Sequence, residues 1–278
     1  VILDGVVPPQ VSLGPEIATK SQQAVDNILA RCAEDPACND AFPDVRATFR
    51  RVVAELRESP VTIDMPHPNT GRLEKRVFGQ SELAVAVRLL AYQPNSIALL
   101  PMLIHEAGAG NFVPLGSQFM MTMIAMRDTL SLGMHNAVMC TEDRPFYDST
   151  AIDYDGIART YMGIMQLKAL EAICSVWPAG PIDPDFKTPL SPDLAVLLLS
   201  GDADPITPPR YAEMAATRLG NARHLIGKHQ GHGQIAVGCN HRLVAEFIDS
   251  ADPAALDPDC LERSFVMPFF VDFSGPLP

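Results

Sequence analysis

Two residues near the C-terminal end, Asp204 and His232, have the types and spacing needed for acid–base chemistry. Asp204 closely follows the apolar run Leu194–Leu199, and His232 lies in the loop HQGHG after a second strand-like stretch. A carboxylate that binds one imidazole nitrogen fixes the tautomer of the histidine. It also stabilises the imidazolium that forms when the other nitrogen takes a proton. The two residues would therefore supply two of the three groups of a nucleophilic triad.

A strand–helix–strand–helix pattern is predicted to position this pair. The run LAVLLL is continuously apolar, which is typical of a strand buried on both faces of a parallel sheet. RYAEMAATRLG predicts the next helix, with Thr207 as its cap and Pro208 at its first position. ARHLIGK predicts the second strand and NHRLVAEFIDS the last helix. Because functional groups gather at the C-terminal ends of parallel strands, we expect Asp204 and His232 at one edge of the sheet.

The segment LLLSGDADPITPPRYAEMAATRLGNARHLIGKHQGHG resembles the C-terminal module of α/β-hydrolases of the tripeptidyl aminopeptidase and proline iminopeptidase type. The resemblance assigns the triad acid to Asp204, which precedes Pro, and not to Asp202. It assigns the triad base to His232, between two glycines. The opening VILDGVVPP is similar to the strand that follows the nucleophile helix in the same family.

This resemblance implies an α/β fold, namely an α/β-hydrolase fold with a partial parallel sheet and an inserted, mostly helical cap. Residues 1–19 would form a strand and turn of the core, residues 20–185 the cap, and residues 186–278 the rest of the core. Within the cap, VTIDMPHPNTGRLEKRVFG predicts an irregular hairpin, and NAVMCTEDRPF a short strand or extended segment. The Met-rich face Met120–Met126 predicts an adaptable core or pocket wall, with a substrate cleft as the alternative.

The nucleophile of this family is a serine in a G-x-S-x-G elbow, and the sequence contains no such motif. Ser117 has the wrong spacing and lies in a helical stretch, and Ser200 ends a strand beside the acid. By the family layout the elbow would lie about 20 residues before Val1. We therefore expect the C-terminal portion of a serine hydrolase, inactive by itself. Its partner would be the N-terminal half that carries the nucleophile and the oxyanion hole.

The chain has six cysteines, and an even number favours disulfide bonds and an exported location, either secreted or periplasmic. The absence of a C-x-x-C pair weakens the alternative of a metal site. The family resemblance implies pairing in sequence order, as Cys32–Cys38, Cys140–Cys174 and Cys239–Cys260.

Composition restricts the class of partner. Of the 278 residues 47% are hydrophobic, enough for a sizeable core. The formal net charge of -12 would repel a phosphate backbone, so no nucleic acid is expected as a partner. No apolar run approaches the roughly 18 residues of a membrane span. No metal and no organic cofactor is expected either.

The family resemblance implies the function of an aminopeptidase, a serine hydrolase that releases residues or short peptides from peptide N-termini through an acyl-enzyme. The same resemblance makes Glu142, shortly after Cys140, a candidate to bind the free amino group of the substrate, with a solvated loop charge as the alternative. One alternative is an esterase or lipase of the same fold, acting on a small ester, and another is a non-catalytic binding fragment. At the level of single residues, Asp204 could be only a turn former, and His224, His229 and His232 could be a metal cluster without a helical face.

Overall fold

A parallel sheet brings the beginning of the chain next to its C-terminal third. Strand β1 (Ile2–Asp4) pairs with β4 (Ala195–Gly201), and β4 pairs with β5 (Asn221–Gly227). Helix α11 (Pro209–Ala216) connects β4 to β5, and α12 (Asn240–Ser250) follows β5. This combination of a parallel sheet with helices is of the α/β class that the sequence predicts. The structure is a computed structural model that describes residues 1–277, apart from the side chain of Asp128.

Strand β4 is the central strand of the sheet, and its side chains are buried on both faces. Leu197 and Leu199 pack in a cluster with residues of α12. Val196 and Leu198 pack on the opposite face, in a cluster with residues of α11. The continuous apolar run therefore forms a strand covered on both sides, as the sequence predicts.

The segment between β1 and β4 is mostly helical. In the described part of the chain, its α-helices are α1 (Ile17–Glu34), α2 (Pro36–Ala41), α3 (Val45–Glu58), α4 (Gln80–Leu90), α5 (Pro94–Ile97), α6 (Leu100–Gly108), α7 (Val113–Thr129), α8 (Leu132–Val138), α9 (Tyr154–Arg159) and α10 (Met165–Val176). Strands β2 (Val61–Pro66) and β3 (Leu73–Phe78) form an antiparallel hairpin, paired along their whole length. The division of the chain at residues 19 and 185 stays a prediction.

The core of this helical segment extends to the loop that carries the proposed acid. Phe49 of α3, Leu83 of α4 and Ile104 of α6 belong to one large buried cluster. Ile206, two residues after Asp204, belongs to the same cluster. Packing of the helices therefore fixes the backbone beside Asp204.

Three disulfide bonds close short stretches of the chain. They are Cys32–Cys38, between α1 and α2, Cys140–Cys174, between a π-helical turn (Met139–Asp143) and α10, and Cys239–Cys260, between the start of α12 and a 3-10 turn (Asp259–Arg263). This is the pairing that the family resemblance implies. None of the cysteines in residues 1–277 is free.

One local prediction is wrong. The segment NAVMCTEDRPF is helical and not extended, because α8 continues directly into the π-helical turn Met139–Asp143. Met139 and Cys140 are buried there, and Cys140 is bonded to α10. Packing against α10 thus outweighs the preference of the local sequence for an extended conformation. Among the helices of residues 1–277, none combines the length and apolarity needed to cross a bilayer.

Candidate functional site

Asp204 and His232 meet at the C-terminal edge of the parallel sheet. The loop after β4 carries Asp204, and the loop after β5 carries His232. Nδ1 of His232 lies 2.8 Å from Oδ2 of Asp204. The carboxylate is fully buried, whereas the imidazole side chain is 33% exposed. A buried acceptor therefore binds a histidine that remains open to solvent on one side.

The Asp204 carboxylate accepts three hydrogen bonds from its own loop, in addition to the one from His232. Its Oδ1 accepts from the backbone N–H groups of Ile206 and Thr207, each at 2.8 Å. Its Oδ2 accepts from the Thr207 hydroxyl at 2.7 Å, in addition to His232. The prediction that Thr207 caps α11 is wrong, because that hydroxyl is used by Asp204 and the cap residue is Pro208.

Charge and hydrogen bonding shift the pKa values of the pair in opposite directions. Burial acts to raise the pKa of Asp204, but the hydrogen bond and charge of His232 and the loop N–H groups together lower it below its ordinary value. Burial acts to lower the pKa of His232, but the hydrogen bond and charge of Asp204 outweigh it and raise that pKa. Asp4 also raises the His232 pKa, and Arg88 lowers it.

These contacts select the tautomer of His232. The buried Asp204 carboxylate can only accept, so Nδ1 carries the hydrogen that it donates to Oδ2. Nε2 is then the nitrogen that is free to take a proton. The arrangement can accept a proton from a nearby hydroxyl and return it to another atom, as a general base and then a general acid.

Contacts from distant parts of the chain hold the loop of His232. The backbone N–H of His232 donates to the carbonyl of Tyr92 at 2.8 Å, and the Tyr92 and His232 rings lie 5.1 Å apart. Asp4, the last residue of β1, accepts from the N–H groups of Gln234 at 2.8 Å and Ile235 at 2.9 Å. The loop is thus fixed from the helical segment on one side and from β1 on the other.

Two glycines, Gly5 and Gly231, allow the loop of His232 to lie close to the end of β1 and to Tyr92. Gly5 has a φ of 65°, and a Cβ at this position would lie 3.0 Å from Cε1 of His232. A Cβ on Gly231 would lie 2.2 Å from the Tyr92 carbonyl oxygen, which is shorter than any real contact. A side chain at either position would displace the imidazole or its loop.

Asp4 and Tyr92 are parts of the site that the sequence motifs do not indicate. Asp4 stands at the C-terminal end of β1, so the edge rule that pointed to Asp204 and His232 could have found it. Tyr92 follows α4 and carries no such signal, because only the packing of α4 brings it to His232.

The three histidines of the alternative metal site have separate environments. His224 lies in β5, and its Nε2 is 3.0 Å from the Ser200 hydroxyl. His229 lies in a turn with a φ of 58°, and its N–H donates to Asp202. Among the side chains that the structure describes, no group of three His, Cys, Asp or Glu is arranged to hold a metal ion.

Neither serine considered in the sequence lies at the imidazole. Ser200 bonds to His224, and Ser117 lies within α7 beside the β2–β3 hairpin. Among the described residues no serine hydroxyl is hydrogen-bonded to Nε2 of His232. Asp204 and His232 are therefore paired, and no described serine hydroxyl is in contact with the imidazole.

Glu142 lies in the π-helical turn Met139–Asp143 and is partly buried. Its side chain makes no hydrogen bond or ion pair within residues 1–277. The neighbouring Asp143 instead accepts from the Leu13 N–H at 2.8 Å and lies 3.5 Å from Nζ of Lys187. Asp143 therefore anchors this turn, and the role of Glu142 stays a prediction.

A cavity of about 340 Å³ lies between α4, α7 and α10. Met123 and Met126 of α7 line it, so part of the Met-rich face is a cavity wall. Arg88 of α4 also lines it, and Nη2 of Arg88 donates to the Tyr92 hydroxyl at 3.0 Å. Tyr92 thus contacts both Arg88, at the cavity wall, and His232.

Residues 160–260 match the family model described as TAP-like protein, an α/β-hydrolase family. The matched segment contains β4, Asp204, β5, His232 and the whole of α12. The resemblance that the sequence predicts is confirmed for this part of the chain. No curated protein matches the chain.

Proposed function

We propose, from the match of residues 160–260 to the TAP-like family, that this chain supplies the acid and base of a serine hydrolase. The observation that carries the proposal is the 2.8 Å contact between buried Asp204 and partly exposed His232. In the reaction, Nε2 of His232 takes the proton of a serine hydroxyl while the serine oxygen attacks the substrate carbonyl. His232 then returns the proton to the leaving group as the carbonyl–nitrogen or carbonyl–oxygen bond breaks. Water hydrolyses the acyl-enzyme by the same two steps.

The nucleophilic serine, in this proposal, comes from polypeptide outside residues 1–278. Two features support this. The sequence has no G-x-S-x-G elbow. Strand β1 is an edge of the parallel sheet, and within the described residues its outer side pairs with no strand. An open edge of this kind accepts a further strand, which would carry the elbow and the oxyanion hole to His232.

The substrate that we propose is a short peptide cleaved from its amino end. The family match supports this, and Glu142 is the proposed partner of the free amino group. Three disulfide bonds support an exported protein, secreted or periplasmic, because such bonds persist in oxidising compartments. The amino-terminal selectivity and the location are both parts of the proposal.

An esterase of the same fold is the second candidate. The cavity beside Arg88 is walled mainly by apolar side chains, including Met123 and Met126. Such a wall suits the acyl chain of an ester as well as an apolar peptide side chain. The two candidates differ in whether a free amino group is needed.

Fluorophosphonate labelling of the native preparation tests the serine-hydrolase proposal. We expect the label on a longer form of this chain or on a separate co-purifying chain, and none on a peptide from residues 1–278. Heat-denatured protein is the control for non-specific labelling. A label on Ser117 or Ser200 would refute an external nucleophile. No label on any chain would refute the catalytic proposal and favour a non-catalytic binding fragment.

The same preparation, assayed without the label, also distinguishes peptidase from esterase. We expect Ala-Ala-Ala-p-nitroanilide to be cleaved and its N-acetylated form to be resistant, because acetylation removes the charged amino group. Glu142→Gln should raise KM for the free peptide. Equal cleavage of both forms, together with faster cleavage of p-nitrophenyl butyrate, would reverse the order of the two candidates.

A further inference from the structure

The cavity between α4, α7 and α10 contains polar atoms that lack partners. Nε of Arg88 and Oε1 of Gln166 are both buried, and neither has a hydrogen-bond partner among the described side chains and backbone. Both residues line the same cavity, whose remaining wall includes Met123, Met126 and Met165. Buried polar groups are almost always hydrogen-bonded, so a cavity with two unsatisfied ones has the character of a binding site.

Arg88 has no carboxylate partner among the described side chains. Its one side-chain hydrogen bond there is to the Tyr92 hydroxyl, at 3.0 Å. A guanidinium has five N–H donors, and it binds a carboxylate through two of them at once. The charge of Arg88, facing an apolar cavity, therefore favours an anion with a planar pair of oxygens.

The remaining residues of the cavity wall indicate which other groups the ligand would carry. Oε1 of Gln166 requires an N–H or O–H donor, and the methionine side chains accept an apolar group of variable shape. Met123 is 40% exposed and Met165 is 45% exposed, so the cavity is open to solvent on their side. A carboxylate, an adjacent N–H and an apolar side chain occur together in the C-terminal residue of a peptide.

We propose that this cavity binds the C-terminal residue of a short peptide substrate with an apolar side chain. The carboxylate would bind Arg88, the N–H would donate to Gln166, and the side chain would lie among the methionines. This inference rests on the proposed peptidase function and adds a requirement at the opposite end of the substrate.

The position of the cavity suits such a substrate. Cζ of Arg88 lies 5.8 Å from the Tyr92 ring centre, which lies 5.1 Å from the His232 ring centre. About three extended residues, at roughly 3.3–3.6 Å each, cover the longest path that these distances allow. A peptide held by its C-terminus at Arg88 would thus place one of its nearest peptide bonds at His232.

Isothermal titration calorimetry on the full chain tests this without turnover. We expect N-acetyl-Ala-Leu to bind at least about ten-fold more tightly than N-acetyl-Ala-Leu-amide, because the amide removes the charge that Arg88 would bind. Arg88→Met should abolish that difference and leave the affinity for the amide unchanged. Arg127→Met, at an exposed arginine of α7 that does not line the cavity, should preserve the difference.

Either of the following results would overturn the proposal. Equal binding of acid and amide by the unaltered protein would exclude a carboxylate site, and this comparison needs no variant to fold. Octanoate binding as tightly as the peptide acid, with the same dependence on Arg88, would identify a general site for amphipathic acids. Since no nucleophile is needed for binding, failure here is distinguishable from failure of the labelling experiment.

Discussion

At the scale of single residues, the state of His232 depends on Asp204. Asp204 is the largest influence that raises the His232 pKa, against burial and Arg88, which lower it. In Asp204→Asn the amide keeps the size of the side chain but removes its charge. We expect the pKa of His232, followed by NMR of its ring protons, to fall below the value in the unaltered protein.

The same substitution should alter stability within a defined pH window. The pKa of His232 is raised on folding, so its contribution is complete below about pH 6.5 and is lost as pH rises through the raised pKa. The pKa of Asp204 is lowered, so its contribution is complete above about pH 3.9 and is lost as pH falls through the lowered pKa. Asp204→Asn should therefore cost most between these limits, about 2 kcal/mol in urea unfolding, because one partner is partly exposed.

Asp202→Asn is the matched control for this prediction. Asp202 lies two residues away in the same loop, and its carboxylate accepts from the N–H of His229 instead. The substitution Asp202→Asn should leave the pKa of His232 unchanged. An equal shift of that pKa in both variants would mean that the effect comes from the loop and not from the ion pair.

At the scale of elements, β1 holds the loop of His232 through one side chain. The Asp4 carboxylate accepts from the N–H groups of Gln234 and Ile235. Asp4→Ala leaves both donors without their partner, which should cost about 1–3 kcal/mol in unfolding free energy. Hydrogen exchange at these two amides should accelerate relative to the amides of α12.

Asp249→Ala controls for the loss of a negative charge. Asp249 is exposed on α12 and makes no hydrogen bond or ion pair within the described residues. Its substitution should change neither stability nor exchange in the loop of His232. If Asp4→Ala behaved in the same way, β1 would not be what positions the base.

The elements near the site differ in how far the sequence predicts them. β4 and α12 are predictable because each has its own apolar pattern, set within a few consecutive residues. The contact between Tyr92 and His232 is not predictable, because the two residues are far apart in the sequence and only the packing of α4 brings them together. The helical turn at Cys140 is not predictable for a similar reason, because it depends on a disulfide bond to α10.

At the scale of the whole molecule, disulfide bonds cross-link both the helical segment and the C-terminal third of the chain. Cys32–Cys38 lies in the first helices, Cys140–Cys174 spans the end of the helical segment, and Cys239–Cys260 lies after the loop of His232. A disulfide restricts the unfolded chain and typically contributes about 2–4 kcal/mol. The fold should therefore be substantially less stable in a reducing compartment than in an oxidising one.

Thiol counting and thermal unfolding test this dependence. Protein denatured without reductant should show no free thiol, and reduced protein should show all six cysteines. Reduction should lower the Tm, because three constraints on the unfolded chain are removed at once. The variant with Cys32→Ala and Cys38→Ala, which keeps the other two bonds, should have an intermediate Tm, and non-reducing peptide mapping should recover Cys140–Cys174 and Cys239–Cys260. Free thiols in unreduced protein, or an unchanged Tm after complete reduction, would contradict a fold that relies on an oxidising location.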